Sequence, residues 1–192
     1  SCWTKPHGRE HFNPMKDKFL RHGGTALHIR DAKSEELPYI RQQRENAYKE
    51  YATVLPEQHW NALKQSILSE SDAQPGVEVI VAEINGEIAG SVLLFPPKVK
   101  AYEALDEILE HAEIRMLAVA QSARGKGVAS ALVEECLSRT KRKGYNAIGL
   151  HTGEFMEQAM KLYEQFGFKR LPDLDFEPAN DGIIVKAFKL EW

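Results

Sequence analysis

The feature that most constrains the fold is a short glycine-rich turn between a predicted strand and a predicted helix. The strand covers residues 114–119, and a polar loop then leads to Gly125-Lys126-Gly127. From Val128 onward, apolar residues recur at helical spacing up to Gly144, which predicts an amphipathic helix. The first N–H groups of a helix have no partner within it, and glycine lets a ligand approach the main chain. This order of elements predicts an anion-binding loop.

Glycines at a helix start are compatible with several kinds of loop. A P-loop requires Ser or Thr after Gly-Lys, but Gly127 follows Lys126, so that motif is excluded. A dinucleotide-binding loop follows its strand directly, whereas five residues separate Val119 from Gly125 and Ser130 stands at the third glycine position. A loop for the pyrophosphate of an acyl-carrier cofactor fits better. For the glycines alone, a plain tight turn is the alternative.

The rest of the chain predicts an α+β fold. Asn85-Gly86 separates two β-branched runs, 77–84 and 87–95, and this dipeptide favours the type I′ turn of a hairpin. Residues 1–24 show no period and are expected to form an irregular leader, so residues 25–192 are predicted to be a single domain. Further strands are predicted at 25–31, 145–151 and 183–190, and further helices over 34–51, from Pro56 to Leu68 and over 155–166.

Composition excludes several classes of protein. The 192 residues carry 25 Lys and Arg against 28 Asp and Glu, a formal charge of -3, which gives no broad field for nucleic acid or an anionic membrane. Two cysteines exclude a disulfide framework and a four-cysteine zinc site. No apolar stretch approaches the ~20 residues of a membrane span, so a soluble cytoplasmic protein is expected. No metal is expected either, because His7 and His11 lie in a segment without helical pattern.

Taken together, these residues resemble the GNAT superfamily of N-acetyltransferases. Arg124-x-x-Gly127-x-Ala129 matches the family signature Arg/Gln-x-x-Gly-x-Gly/Ala, and residues 159–168 match a second motif in the correct order. The resemblance implies an α+β (mixed α/β) fold with a mostly antiparallel sheet of six to seven strands and flanking helices. It also implies a splayed parallel pair, 112–119 and 145–151, that holds acetyl-coenzyme A.

The resemblance further implies which residues bind that cofactor. The pyrophosphate would accept hydrogen bonds from the backbone of Arg124, Gly125, Lys126, Gly127, Val128 and Ala129. The pantetheine arm would pair with the backbone of Leu117, Ala118 and Val119, and the Val119 N–H would stabilise the developing oxyanion. Met156 departs from the family, in which many relatives have Asn, so Thr152, Glu154 or the main chain must hold the arm instead.

Two residues are candidates for proton transfer. Tyr163 stands where the family commonly keeps a tyrosine that protonates the coenzyme A sulfur, although its place on an apolar helix face fits simple packing too. Glu113 is the candidate base, and Arg115, two residues on, is expected to point to the same face and hold the carboxylate ionised. A solvated ion pair is the alternative. Glu83 and His151 are further candidates for the base.

The predicted function is transfer of an acetyl group from acetyl-coenzyme A to a primary amine of a small molecule or peptide, by direct attack. The alternative is an inactive acyl-coenzyme-A-binding sensor or interaction module. The only protein partner considered is a second copy of the chain, in a homodimer. Acidic residues suggest a cationic acceptor but fit a solvated helix face equally well: Glu103, Asp106, Glu107 and Glu110. Cys136 is expected in the core, and the basic residues Arg139, Lys141, Arg142 and Lys143 at a solvated helix end.

Overall fold

A computed structural model describes residues 13–99 and 108–192. Its strands are β1 (Lys18–His22), β2 (Thr25–Asp31), β3 (Glu78–Ile84), β4 (Glu87–Phe95), β5 (Ala112–Val119), β6 (Ala147–Gly153), β7 (Lys169–Arg170) and β8 (Val185–Glu191). Its α-helices are α1 (Leu37–Tyr48), α2 (Glu57–Leu68), α3 (Val128–Arg142) and α4 (Glu157–Gln165). Within these residues, no helix is long and apolar enough to cross a membrane.

The strands form one eight-stranded sheet in the order β1-β2-β3-β4-β5-β6-β8-β7. Within it β5 and β6 run parallel, and every other neighbouring pair is antiparallel. The predicted α+β fold, the mostly antiparallel sheet and the parallel pair are therefore confirmed. The sheet has more strands than the six to seven expected, because β1 and the two-residue β7 were not foreseen.

Strand β1 lies within the segment that was expected to be irregular. It pairs with β2 from Lys18 opposite Ile29 to His22 opposite Thr25. Most of its side chains are exposed. A strand with both faces in water has no alternation of apolar and polar residues, so the sequence carried no signal for it.

The β3–β4 hairpin forms where Asn85-Gly86 predicted it. Both turn residues have positive φ, 52° at Asn85 and 78° at Gly86, as a type I′ turn requires. The helix expected over 34–51 is confirmed only in its middle, because 3₁₀ turns at Ser34–Glu36 and Lys49–Thr53 flank α1.

Helix α3 packs closely on the middle of the sheet. A Cβ at Gly90 of β4 would lie 2.8 Å from Val128 Cγ1, so the glycine permits this close approach. Cys136 is fully buried in the core, as expected. Burial raises the pKa of its thiol well above the usual value.

Arg139 contradicts the prediction of a solvated helix end. It is 2% exposed and pairs with Glu135 at 2.9 Å, with Glu78 at 3.3 Å and with Asp31. The carboxylates of Asp31 and Glu78 come from β2 and β3, which lie beside the end of α3 in the fold but far from it in sequence. Arg139 therefore anchors the helix to the sheet.

Candidate active site

The parallel strands β5 and β6 separate after a short paired stretch. Their pairing runs from Ala112 opposite Ile148 to Ile114 opposite Leu150, whereas β5 continues to Val119. On its other side, β5 stays paired with β4 through an irregularity, and Met116 there has a φ of 56°. An extra residue of this kind bends a strand. Residues 115–119 of β5 therefore present an edge that β6 does not cover.

The glycine turn lies next to this open edge. Gly125 and Gly127 have φ of 77° and 78°, and Gly127 is the N-cap of α3. Among the described residues, no hydrogen-bond acceptor is found for the backbone N–H groups of residues 125–130. Unpartnered N–H groups at a helix N-terminus favour a bound anion. The loop therefore fits the pyrophosphate of a coenzyme A molecule.

A cavity of about 760 Å³, here named the cofactor cavity, joins the open edge to the loop. Every residue proposed for cofactor binding lines it except Lys126. Those residues are Leu117, Ala118, Val119, Arg124, Gly125, Gly127, Val128 and Ala129. The signature and the strand before it thus lie on one continuous surface.

Tyr163 also lines the cofactor cavity. Its side chain is 5% exposed and packs edge-on against Phe168, with 5.9 Å between ring centroids. Within the described part of the chain, its hydroxyl makes no hydrogen bond. Burial raises the pKa of the Tyr163 phenol well above its usual value. The phenol therefore keeps its proton at neutral pH.

Glu113 lies behind the cavity rather than in its wall. It is 1% exposed, and its Oε1 is 2.6 Å from His151 Nδ1, while its Oε2 is 3.6 Å from His111 Nε2. Burial alone would raise the pKa of the carboxyl, but the attraction of the nearby His111 and His151 rings, with a hydrogen bond to His151, outweighs it and the pKa is lowered. These two histidines, rather than the expected Arg115, keep Glu113 ionised.

His151 connects Glu113 to the cavity. Its ring lines the cofactor cavity, and its Nε2 lies 2.9 Å from the carbonyl oxygen of Leu174. The partners of its two ring nitrogens, a carbonyl and a carboxylate, are both hydrogen-bond acceptors. Glu83, the other candidate for the base, instead pairs with Arg30 at 2.6 Å and with His28 at 3.1 Å.

A second cavity of about 250 Å³, here named the acceptor cavity, opens from the same place. The two cavities share Tyr48, Arg115, Met116, His151, Thr152, Phe155 and Met156. The acceptor cavity extends from there to α2 and to the segment before β8, through Leu63, Ser66 and Pro178. A molecule in each cavity would meet the other at the splayed strands.

Helix α1 and the 3₁₀ turn after it supply contacts that the sequence did not reveal. The Tyr48 hydroxyl donates to the carbonyl oxygen of Leu117 at 2.8 Å, and Arg124 forms a bidentate pair with Glu50 at 2.8 and 3.0 Å. Tyr48 and Tyr51 are three residues apart, which is close to one helical turn. Their side chains therefore lie on the same face, and both line the cofactor cavity. The sequence shows that spacing, but it does not predict that this face packs against β5.

The remaining predicted residues divide into those at the site and those away from it. Thr152 lines both cavities, and its hydroxyl donates a hydrogen bond to Met156 Sδ at 3.4 Å. Glu154 lines neither cavity, and its Oε1 accepts a hydrogen bond from the backbone N–H of Ile184 at 3.0 Å. His22 lies over the glycine turn, since a Cβ at Gly127 would be 2.7 Å from its Nδ1. His7, His11, Glu103, Asp106 and Glu107 lie outside the described residues. Inside them, no group of three metal-binding side chains is found.

A family model decides the classification. The model described as the acetyltransferase (GNAT) family matches residues 29–168, which include the open edge, the glycine turn and Tyr163. The chain belongs to the GNAT family. The match begins after β1 and ends before β7 and β8.

Curated relatives agree with the family assignment over part of their length. The chain is 31% identical to the probable N-acetyltransferase camello of Xenopus tropicalis over 90 residues, 47% of this chain and 37% of that protein. It is 36% identical to the N-acetyltransferase YsnE of Bacillus subtilis over 69 residues, 34% of this chain and 46% of that protein. The chain thus spans less than half the length of these relatives.

Solved structures show the same fold. The PaiA N-acetyltransferase of Thermoplasma acidophilum, in complex with coenzyme A, has a TM-score of 0.63 at 17% identity and covers 86% of this chain and 99% of that chain. A ribosomal-protein-alanine N-acetyltransferase of Brucella melitensis has a TM-score of 0.61 at 18% identity, over 85% of this chain and 99% of that chain. At these identities the likeness concerns the fold alone.

Proposed function

We propose that this chain transfers an acetyl group from acetyl-coenzyme A to a primary amine of a small molecule or peptide. The observation that carries the proposal is the cofactor cavity, in which an uncovered strand edge continues into the six backbone N–H groups of residues 125–130, which have no acceptor within 13–99 and 108–192. An extended chain that ends in a pyrophosphate fits such a surface along its whole length.

The residues of the cofactor cavity act mainly through their backbone. When bound, acetyl-coenzyme A supplies an acetyl thioester that an amine can attack. The N–H groups of residues 125–130 hold the pyrophosphate, and Leu117 and Val119 hold the arm along β5. The Leu117 carbonyl already accepts from Tyr48, but a carbonyl oxygen has a second lone pair for the arm. The Val119 N–H is the proposed donor to the oxyanion.

Tyr163 is the proposed acid. Its O–H donates a proton to the departing sulfur, and its burial, which raises the pKa of the phenol, ensures that it is protonated at neutral pH. The proposal is consistent with the absence of any other acceptor for this hydroxyl among the described residues.

The attacking amine has to lose a proton, since a free amino group of the lysine type has a pKa of ~10.4. Glu113 does not line either cavity, so a part in this step has to pass through His151, which lines both. We assign Glu113 as a positioning residue that fixes the ring of His151 at the meeting point of the cavities.

The test is release of free thiol from acetyl-coenzyme A in the presence of amines. The panel contains polyamines, aminoglycosides, amino acids and peptides with free N-termini, and a thermal shift with acetyl-coenzyme A against NAD checks the cofactor. Thiol release with at least one amine is the expected result. Tight binding of acetyl-coenzyme A without release for any amine would instead support the inactive binding module.

A further inference from the structure

The acceptor cavity has to contain a group that can take up a proton. A free amino group of the lysine type has a pKa of ~10.4, so at neutral pH it is almost wholly an ammonium ion, which has no lone pair for attack. A basic side chain that touches the amine removes this obstacle. The described lining of the cavity contributes two imidazole rings, those of His59 and His151.

His151 has both of its ring nitrogens engaged. Its Nδ1 lies 2.6 Å from Glu113 Oε1, and its Nε2 lies 2.9 Å from the carbonyl oxygen of Leu174. An imidazole takes up a proton on a nitrogen in the plane of the ring, and in this ring both of those positions face an acceptor. His151 is therefore suited to shape the junction of the cavities rather than to receive a proton from the amine.

His59, on α2, is held at one nitrogen. The residue is 4% exposed, and its Nδ1 lies 2.8 Å from Asp181 Oδ2. The other carboxylate oxygen, Asp181 Oδ1, accepts a hydrogen bond from the backbone N–H of Ile183 at 3.1 Å, which fixes the carboxylate. An ionised carboxylate only accepts hydrogen bonds, so Nδ1 carries the hydrogen. In the neutral ring the lone pair is then on Nε2.

The geometry directs Nε2 of His59 toward the acceptor cavity. Asp181 lines neither cavity, and the two nitrogens of an imidazole point in broadly opposite directions, so Nε2 is the nitrogen on the cavity side. Among the described residues Nε2 makes no hydrogen bond, and it is not one of the fully buried atoms without a partner. The ring packs edge-on against Phe155, which lines both cavities, with 5.9 Å between ring centroids. One aromatic ring thus separates His59 from the junction.

We infer that His59 is the general base of the acetyl transfer, and that Asp181 is the positioning residue that keeps the lone pair of the ring on Nε2. The inference rests on the proposed function and assigns the group that removes the proton from the acceptor amine. It gives the pair a chemical role, whereas a purely structural pair would only attach the segment before β8 to α2.

The protons balance over the whole reaction. Nε2 of His59 takes one proton from the ammonium group and later releases it to solvent, and the Asp181 carboxylate stabilises the imidazolium in between. The amine nitrogen then forms a bond with the thioester carbon, and the bond between that carbon and sulfur breaks. The sulfur receives a proton from Tyr163, and the second proton lost by the nitrogen replaces it on the phenol.

The variant His59→Asn separates the base from the structural contact. The Asn amide N–H can donate to Asp181 as Nδ1 does, but the amide has no basic nitrogen. The test compares kcat/KM for thiol release with two amines of similar shape. At neutral pH ethylamine is almost wholly protonated, whereas 2,2,2-trifluoroethylamine is almost wholly neutral because its fluorine atoms withdraw electron density.

His59→Asn should lower kcat/KM for ethylamine about 100-fold, since a general base contributes ~10²–10⁴-fold. The loss for trifluoroethylamine should be less than about threefold, because a neutral amine has no proton to lose before it attacks. Affinity for acetyl-coenzyme A should stay unchanged, since His59 does not line the cofactor cavity. Equal losses with both amines, or no loss with ethylamine, would overturn the inference.

Asp181→Asn tests the positioning residue. The Asn amide can donate to Nδ1, which moves the hydrogen of the ring to Nε2 and should lower kcat/KM for ethylamine at least tenfold. Asp173→Asn, at an exposed aspartate of the same segment, is the matched control and should leave kcat/KM unchanged with both amines. If His59→Asn does not bind acetyl-coenzyme A, Asp181→Asn decides under the same criteria. If the parent accepts only other amines, the losses are measured with those.

Nitrogen NMR of the full chain with isotope-labelled histidine examines the ring without turnover. The signals of His59 are those that disappear in His59→Asn. The neutral ring should carry its hydrogen on Nδ1 and none on Nε2, and a hydrogen on Nε2 would overturn the inference. Acetylation that His59→Asn leaves unchanged would also overturn it but would leave the proposed function in place. No thiol release with any amine would instead contradict the proposed function, so the two failures are distinguishable.

Discussion

The cofactor cavity and the acceptor cavity are built in different ways. The proposed cofactor contacts come from the backbone of one contiguous stretch, residues 117–130, with two glycines in positive φ. The acceptor side uses side chains from α1, α2, β5, β6 and the segment before β8. Recognition through the main chain leaves a short motif in the sequence, because only backbone freedom and side-chain size are constrained. Recognition through distant side chains leaves none.

The junction of the two cavities is where a substitution should cost most. Glu113 is fully buried against His151 and His111 on the paired part of β5 and β6. Glu113→Gln should lower the free energy of unfolding by about 3 kcal/mol near neutral pH, since it removes the negative charge from a fully buried hydrogen bond with His151. Urea unfolding of both proteins measures the difference.

The pH dependence of this cost follows from the lowered pKa of Glu113. The folded carboxyl titrates below the unfolded one, whose pKa is about 4.3, so its contribution is fully present above that pH. It is lost as the pH falls through the folded pKa, and the difference from Glu113→Gln should shrink there. Glu191→Gln, at the exposed end of β8, is the control and should unfold like the parent. A difference independent of pH would contradict an ionised Glu113 in the folded protein.

The cofactor cavity should be sensitive to charge at its backbone. Gly125→Asp places a carboxylate among the N–H groups of the loop and should weaken acetyl-coenzyme A binding about 100-fold, because the anions repel each other. A Cβ at Gly125 meets no atom within 4 Å, so the variant tests charge and backbone rather than crowding. Gly127 is less suitable because His22 occupies that space. Calorimetry with acetyl-coenzyme A is the measurement.

Gly144 offers a matched control for that variant. Its φ of 85° is close to the 77° of Gly125, and it too has no atom within 4 Å of an added Cβ, but it lies after the far end of α3. Gly144→Asp should strain the backbone similarly and leave cofactor affinity unchanged. Equal losses of affinity in both variants would show that strain, rather than the site, is responsible.

Tyr163 tests whether a side chain acts on the cofactor side as well. Tyr163→Phe keeps the ring and should lower kcat at least tenfold without changing cofactor affinity, because an acid contributes ~10²–10⁴-fold. Stability should change little, since the described residues provide no partner for the hydroxyl. Steady-state kinetics with an amine that the protein accepts measure kcat. Tyr145→Phe, at an exposed tyrosine, is the control and should leave kcat unchanged. A kcat within threefold of the parent at every pH would leave Tyr163 a packing residue.

Arg124 should show the smallest effect of the set. Its side chain is 44% exposed and pairs with Glu50 rather than pointing into the loop. Arg124→Gln keeps the family signature and should cost less than about 1 kcal/mol of stability, as exposed ion pairs do. Acetyl-coenzyme A affinity should stay within threefold, because the loop binds through N–H groups. A larger loss of affinity would mean that the cofactor side also depends on side-chain charge.

The same contrast explains what the sequence could predict. The glycine turn, the Asn85-Gly86 hairpin and the apolar face of α3 are local patterns, and the structure has all three where they were expected. The splayed pair of parallel strands was predicted from the family resemblance alone, because no local pattern in one segment indicates which strands pair or where they separate. The proposed cofactor residues other than Lys126 consequently lie in one cavity wall.

What the sequence missed depends on contacts between distant segments. Spacing placed Arg115 beside Glu113, but the bend at Met116 and the packing of α2 bring Arg115 to Ser66 instead. Arg139 was expected in water because its helix end is basic, whereas β2 and β3 supply carboxylates to it. In both cases the partner lies on another element, and one-dimensional spacing does not identify it.

Amide hydrogen exchange tests the central claim, that backbone N–H groups at the start of α3 hold the cofactor. Without ligand, the amides of residues 125–130 should exchange rapidly, because no acceptor among the described residues protects them. Saturation with acetyl-coenzyme A should slow exchange at residues 125–130 and along the edge of 115–119, and leave Gly144, after the far end of α3, unchanged. Bound cofactor with no added protection at residues 125–130 would contradict the account.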